Sequence, residues 1–512
     1  MPAESRTKKT LLNARVNLIF YFLTLLLSFF SRKIFLDCLG AEFIGLTGTL
    51  QNLLGFLNLA ELGIGSAIGY VLYKPLFDHD QEKINEIISV MGYLYHWIGL
   101  IILGAGCILA CFLPLIFPST GFPLALIYFA YFSFLASSLI GYFINYRQNL
   151  LGADQRNYVV TGYYQTMTIV KTIIQMALAY YTRSYFLWVA IELTFGIIYS
   201  FVLNWRINVT YPWLKTEVSR GKELLKVHNQ VLLKTKQLFI QKISYFVQYQ
   251  TVPFLTYAFV NLQIVAFYGN YTIITDKIGQ FVNTFLESSG ASIGNLIAEG
   301  NRKKIINLFW ELLSMRYFIG GVFAFSVLIL MEPFIGIWLG SEYFLSKTVL
   351  YLIVLNVFIG YTRGGVMQFL FGYGMFSDIW APISEIVINL SVAILCGARW
   401  GLPGILMGGI VSQLLIVGIW KPMFLFWKGF KEPLWKYWLG FFKLIICIIV
   451  PGTILMRCIM PYIYLDPYNG YLSWIKYAIV NVGIYSVLTM AVLFIFNSGM
   501  RNFVYRFIQI KR

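Results

Sequence analysis

The sequence predicts an all-α integral membrane protein with about 14 transmembrane helices. The arrangement expected is two six-helix bundles related by a pseudo-twofold along the membrane normal, plus two C-terminal helices. Three observations carry this. Of 512 residues, 59% are hydrophobic and only 12% charged, whereas soluble proteins average about 45–50% and about 25%. So little charge cannot cover a soluble surface of this size, which excludes an ordinary soluble enzyme, a secreted disulfide scaffold and a disordered chain. The apolar residues also come in continuous runs near the ~20 residues that span a hydrocarbon core, unlike the short alternating segments of a barrel. Finally, Lys and Arg alternate in density from loop to loop.

Taken in order, the candidate spans are 14–36, 43–72, 88–117, 122–146, 157–181 and 184–206, then 237–260, 262–290, 303–331, 347–371, 377–397 and 402–427. Two more follow at 437–457 and 472–496. The first run is followed by Ser31, Arg32 and Lys33 rather than a small-residue cleavage site, so it reads as a span and not a signal peptide. With the N-terminus in the cytoplasm, 28 of the 39 Lys and Arg fall in cytoplasmic segments, seven lie opposite and four sit within helices. The positive-inside rule therefore expects both termini in the cytoplasm. The expected organisation is a six-helix bundle over 1–206, a cytoplasmic amphipathic linker over 207–236, a second bundle over 237–430, and two further helices with a basic tail over 431–512. The linker carries Lys215, Arg220, Lys222, Lys226, Lys234 and Lys236, a density that suits anionic membrane lipids.

An internal repeat marks the same seam. Glu61-Leu-Gly-Ile-Gly65-Ser-Ala-Ile-Gly69 matches Glu287-Ser-Ser-Gly290-Ala-Ser-Ile-Gly294, and Tyr95-His-Trp-Ile-Gly99 matches Arg316-Tyr-Phe-Ile-Gly320. The matches lie six helices apart. Six is even, so the halves enter the membrane in the same sense.

The chain holds no G-x-x-x-x-G-K-[ST] phosphate loop and no H-E-x-x-H motif, and its six cysteines lack metal-ligand spacing. No cofactor is expected, nor a nucleic-acid partner. External loops are too short for a catalytic domain. These features point to a transporter rather than an enzyme. Ionisable groups at membrane depth cost about 2.5–3.5 kcal/mol each on insertion scales, which makes them the candidate site. Lys171, Lys277 and Arg316 within helices, with Arg32 and Arg15 at the ends of the first, read as substrate-binding cations of a basic lumen. Glu61, Glu287 and Glu192 read as gating or coupling acids. The competing reading is that these charges pair with one another and fix packing, with Arg15 and Arg32 snorkelling to the interface. Uncharged polar residues such as Ser28, Gln51, Asn52, Gln248 and Asn270 suit a sugar, or else hydrogen bonds between helices.

Several stretches carry a family resemblance. Ser31-Arg32-Lys33-Ile34-Phe35, Leu39-Gly40, Gly45-Leu46 and Leu59-Ala60-Glu61-Leu62-Gly63-Ile64-Gly65, with Tyr268-Gly-Asn-Tyr271, resemble Wzx-type polysaccharide/O-antigen flippases. These belong to the multidrug/oligosaccharidyl-lipid/polysaccharide exporter superfamily. The resemblance covers residues 13–427. It implies two six-helix bundles around a cationic cavity. It also implies a polyprenyl-diphosphate-linked oligosaccharide (an O-antigen, capsule or exopolysaccharide repeat unit) as substrate, flipped across the bacterial cytoplasmic (inner) membrane by alternating access. Glycosyltransferases and a polymerase of the same pathway would be partners. The nearest alternative is a cation-coupled multidrug antiporter of the same superfamily. A carboxylate deep in the first helix would favour it, and residues 16–31 hold none. A lipid II flippase is poorly separated from its polysaccharide relatives by these residues. A membrane polysaccharide polymerase or glycosyltransferase is the alternative from another class, and it expects long external loops.

Overall fold

A computed structural model describes residues 6–57, 61, 64–118, 120–154, 156–228, 231, 235, 250–287, 293, 296–297, 300–375 and 377–510. Some helical side chains within these ranges, that of Glu287 among them, lie outside the description. Among the described residues every regular element is helical and no strand occurs.

The first helix, α1 (Arg6–Leu39), stops at Gly40, whose φ of 81° is left-handed and free of strain only for glycine. The chain turns there directly into α2 (Ala41–Leu57). Within the span expected over 43–72, residues 58–60 and 62–63 lie outside the described residues; Glu61 stands between them, and α3 (Ile64–Asp78) follows.

Next come α4 (Gln81–Ile116), α5 (Leu124–Phe143), the short α6 (Gln148–Ala153), α7 (Asn157–Thr182), α8 (Tyr185–Thr210) and α9 (Gly221–Val227). Residues 250–259 are helical, and the rest of the span expected over 237–260 lies outside the described residues. Then follow α10 (Leu262–Glu287), α11 (Arg302–Trp338), α12 (Lys347–Gly372), α13 (Trp380–Trp400), α14 (Leu402–Phe430), α15 (Leu434–Tyr462), α16 (Tyr471–Phe496) and α17 (Ser498–Ile510). Ten helices among the described residues are long and apolar enough to cross a membrane. With the α2–α3 pair, α7, the 250–259 helix and α10, they fall on the fourteen spans expected. The protein is a multi-pass helical membrane protein.

The chain forms two compact units, Met1–Ala266 and Phe267–Arg512. In the first, α1 packs on α7, and α5 packs on α4 and α8. In the second, α11 is the central element and contacts α12, α16 and α17, while α13 and α14 form a close hairpin. Its core holds Phe309 edge-on to Phe369, Phe426 and Phe430. Lipid tails are as apolar as these side chains, so dispersion and shape hold them together more than escape from water does. Large apolar side chains such as Phe201, Leu395 and Ile479 are exposed, as acyl-chain contact requires.

The halves share a local frame. Asp80 caps α4 by accepting from the Lys83 amide at 3.0 Å, and Asn301 caps α11 by accepting from the Lys304 amide at 3.1 Å. Ile140-Gly141-Tyr142 ends α5 where Ile359-Gly360-Tyr361 ends the first part of α12. Gln148-Asn-Leu150-Leu-Gly152 then matches Gln368-Phe-Leu370-Phe-Gly372.

Candidate functional site

In the first unit, α7 and α8 bring Lys171 and Glu192 together. Lys171 Nζ donates to Glu192 Oε1 at 2.5 Å, and Gln175 Nε2 donates to Glu192 Oε2 at 3.0 Å. Gln175 also donates to the Trp188 carbonyl at 3.0 Å. Lys171 and Gln175 are one turn apart on α7, and Trp188 and Glu192 one turn apart on α8, so the four form a single clamp. The charges cancel locally, and the clamp joins the helices as the packing reading of these two residues expects.

Arg32 lies near the end of α1, half-buried, and donates through Nη2 to the Ala266 carbonyl at 2.8 Å. The α2 backbone approaches closely here: a Cβ on Gly45 would stand 2.0 Å from the Leu262 oxygen, so only glycine fits. Arg15 is exposed. Glu61 is partly buried and accepts from Tyr95 of α4 at 2.5 Å and from Tyr142 of α5 at 3.2 Å.

In the second unit, Arg316 of α11 is buried and 3% exposed. Its Nη1 donates to the Tyr361 carbonyl at 3.3 Å. That carbonyl belongs to the last turn before a break in α12, where helix carbonyls lack intrahelical donors and the dipole favours a cation. Gly364, just past the break, admits the guanidinium: a Cβ there would be 2.3 Å from Arg316 Nη1.

Arg363, at the break itself, is half-buried and was counted in sequence among loop charges. It donates to Gln413 Oε1 at 3.2 Å, and Gln413 donates on to Asn356 Oδ1 at 3.0 Å. Gln413 opens a π-helical stretch, Gln413–Trp420, a distortion frequent at functional positions. The Gly364-Gly365 pair after Arg363 was the available signal of a helix interruption. Lys277 of α10 is half-buried beside the exposed Asp276. Glu287 closes α10, and its side chain lies outside the described residues.

Two ion pairs escaped the sequence reading, one buried at both ends and one at its acid alone. Lys421 Nζ donates to Asp378 Oδ2 at 2.7 Å, and Trp420 Nε1 reaches the same oxygen at 3.0 Å. Arg506 of α17 meets the buried Glu311 of α11 at 3.1 Å. Lys421 and Arg506 both counted as cytoplasmic charges, because nothing in their neighbourhood along the chain signals an acid brought in from another helix.

The residues that follow α8 do not float free. The Lys215 and Glu217 amides donate to Asn85 and Ser89 of α4, at 3.0 and 2.9 Å. His228 sits 2.8 Å from Glu86. Tyr211 donates to Asp154 at 2.7 Å, and burial, then that carboxylate, push its phenol above the ordinary range.

Buried polar clamps set in a bundle of long apolar helices describe a multi-pass membrane protein. The fold is shared with lipid II flippase MurJ in an inward closed conformation, with a TM-score of 0.64 and 14% identity, covering 93% of this chain and 98% of that one. It is also shared with an inward-facing multidrug resistance MATE family transporter of the MOP superfamily, with a TM-score of 0.57 and 14% identity, covering 80% and 98%. These likenesses show the fold the chain shares with both proteins. No protein-family model and no curated protein matches the chain.

Proposed function

We propose that the protein is a flippase of this superfamily. It translocates a polyprenyl-diphosphate-linked oligosaccharide, an O-antigen, capsule or exopolysaccharide repeat unit, across the bacterial inner membrane by alternating access, with both termini cytoplasmic. The observation that carries this is the fold match to a lipid flippase over 93% of the chain, against 80% for the drug transporter. The residue chemistry agrees. Arg32, Arg363 and Lys277 are half-buried cations in a chain of formal net charge +17. Guanidinium groups pair with phosphate oxygens through two parallel hydrogen bonds, and the lysine supplies a mobile point charge. We assign headgroup contact to Arg32, Lys277 and Arg363 on their charge and half-buried position.

The test is a host lacking the gene. Wild type should restore surface polysaccharide and clear lipid-linked oligosaccharide from the inner leaflet. The triple variant Arg32→Ala/Lys277→Ala/Arg363→Ala, expressed at normal level, should do neither. Full export by that variant removes the site. The match to the MATE transporter keeps a drug antiporter as the second reading, and loss of dye efflux with unchanged surface glycan would decide for it.

A further inference from the structure

The connection between α15 and α16 has no task in the arrangement above. Within ten residues it carries four exposed tyrosines, Tyr462, Tyr464, Tyr468 and Tyr471. Tyr462 is 75% and Tyr464 94% exposed. Asp466 and Asn469 stand among them, both exposed, and residues 458–475 contain no Lys or Arg. One crossing, α16, separates this connection from the C-terminus, so the cytoplasmic termini proposed above put it on the outer face.

The connection is held in place. The Tyr468 amide donates to Asp466 Oδ1 at 2.9 Å, and Ser473 Oγ donates to the Asp466 carbonyl at 2.7 Å. Trp474, one turn into α16, donates through Nε1 to the Leu330 carbonyl of α11 at 3.1 Å. The rings of Tyr468 and Phe344 lie over Gly336 of α11, where an added Cβ would meet them at 3.6 and 3.0 Å. Gly470, with a φ of 95°, turns the chain into α16. Tyr468 thus anchors the connection, and Tyr462 and Tyr464 leave most of their surface open on an ordered backbone.

Two occupants compete for such rings. Anchors at a membrane interface pair aromatic rings with Lys or Arg that reach toward the headgroups. Tyr180 and Tyr181 at the end of α7 fit that pattern, with the exposed Arg183 beside them. The α15–α16 connection reverses it. Its one charge is Asp466, which repels lipid phosphate, and the adjoining connection that carries Phe344 adds the exposed acid Glu342. Lys347, at the start of α12, is already paired with Glu332.

A sugar ring suits these groups on both counts. Its C–H face packs flat on an aromatic ring, and a tyrosine gives that area at low cost in side-chain entropy. Its hydroxyls donate to a carboxylate and exchange hydrogen bonds with amides and phenols. It needs no cation. A held connection spares part of the ordering cost of binding.

We propose that the α15–α16 connection is an outer-face binding site for oligosaccharide, with Tyr462 and Tyr464 stacking on sugar rings and Asp466 and Asn469 bonding to hydroxyls. The site shares no residue with the headgroup cations. It rests on the flippase reading only for which glycan reaches it, the one newly delivered to that face.

Saturation-transfer NMR on the purified full chain in phosphatidylcholine nanodiscs, free of glycoside detergent, reads the site without transport. The probe is the repeat-unit oligosaccharide cut from the host's own surface polysaccharide. Wild type should transfer saturation to its ring protons, and Tyr462→Ala/Tyr464→Ala should bind it about tenfold more weakly. Tyr462→Ala/Tyr464→Trp, which keeps one stacking face, should recover part of the loss, and Tyr180→Ala/Tyr181→Ala should bind as wild type does. No transfer in wild type, or wild-type binding by folded Tyr462→Ala/Tyr464→Ala, overturns the proposal. If that variant does not fold, Tyr464→Ala is read in its place. Binding without export keeps this site and removes the flippase reading; export without binding does the reverse.

Discussion

The two units build one frame and fill it with opposite chemistry. In each, a long helix starts on an Asx cap, Asp80 or Asn301, and runs beside a helix ending in Ile-Gly-Tyr. In the first unit the long helix presents Tyr95 at the repeat position, and the paired phenols hold an acid. In the second the same position is Arg316, and what it holds is the Tyr361 carbonyl. The last hairpin differs likewise. The α7–α8 hairpin is tied mid-helix by Lys171 and Glu192, and the α13–α14 hairpin beside its open end by Asp378 and Lys421. The lesson is that the repeat preserves backbone geometry and capping, while the buried charges are reassigned half by half.

That contrast can be broken first at the ion pairs. Lys171→Ala leaves Glu192 partnered by Gln175 alone at membrane depth. The expected destabilisation is about 3 kcal/mol, read as a lower melting temperature in detergent. The double variant Lys171→Ala/Glu192→Ala should recover most of that loss. If the double variant is as unstable as the single, the pair is not a self-contained clamp.

A smaller effect separates two glycines of α12. Gly364→Ala drives a methyl into the Arg316 guanidinium and should cost about 1–3 kcal/mol. Gly360→Ala, with nothing within 4 Å of its Cβ position, should be neutral or slightly stabilising. Equal effects would mean that Arg316 is not locked at the break.

The smallest effect lies outside the spans, at Glu432. The Lys436 hydrogen bond chiefly, with the charges of Lys436 and Arg302, holds its carboxyl below the ordinary value of 4.5. A depressed carboxylate stabilises the fold above its unfolded value, and that contribution is lost as pH falls through the folded one. The melting-temperature gap between wild type and Glu432→Gln should therefore be small and constant near neutral pH and vanish in acid. A gap that widens in acid would reverse the sign of the interaction.

Much of the fold was legible along the chain. Continuous apolar runs fall on the spans because a helix in lipid must satisfy its own backbone, so length and hydropathy fix it locally. Glu61 was singled out as a gating or coupling acid, but the phenols of α4 and α5 that hold it could not be read along the chain. The site was less legible. Lys171 and Glu192 were both singled out, yet for opposite roles. Arg363 and Lys421 passed for loop charges, because depth was judged from span ends uncertain by several residues.

The sequence by itself determined the membrane class and the order of helices, since these follow from local composition and periodicity. Only the tertiary structure decided which charges are already answered. A partner 21 residues away on the next helix, or 43 away across a hairpin, is set by helix rotation and packing. In a medium of low dielectric, that partner determines whether a buried charge holds the fold or remains for a ligand.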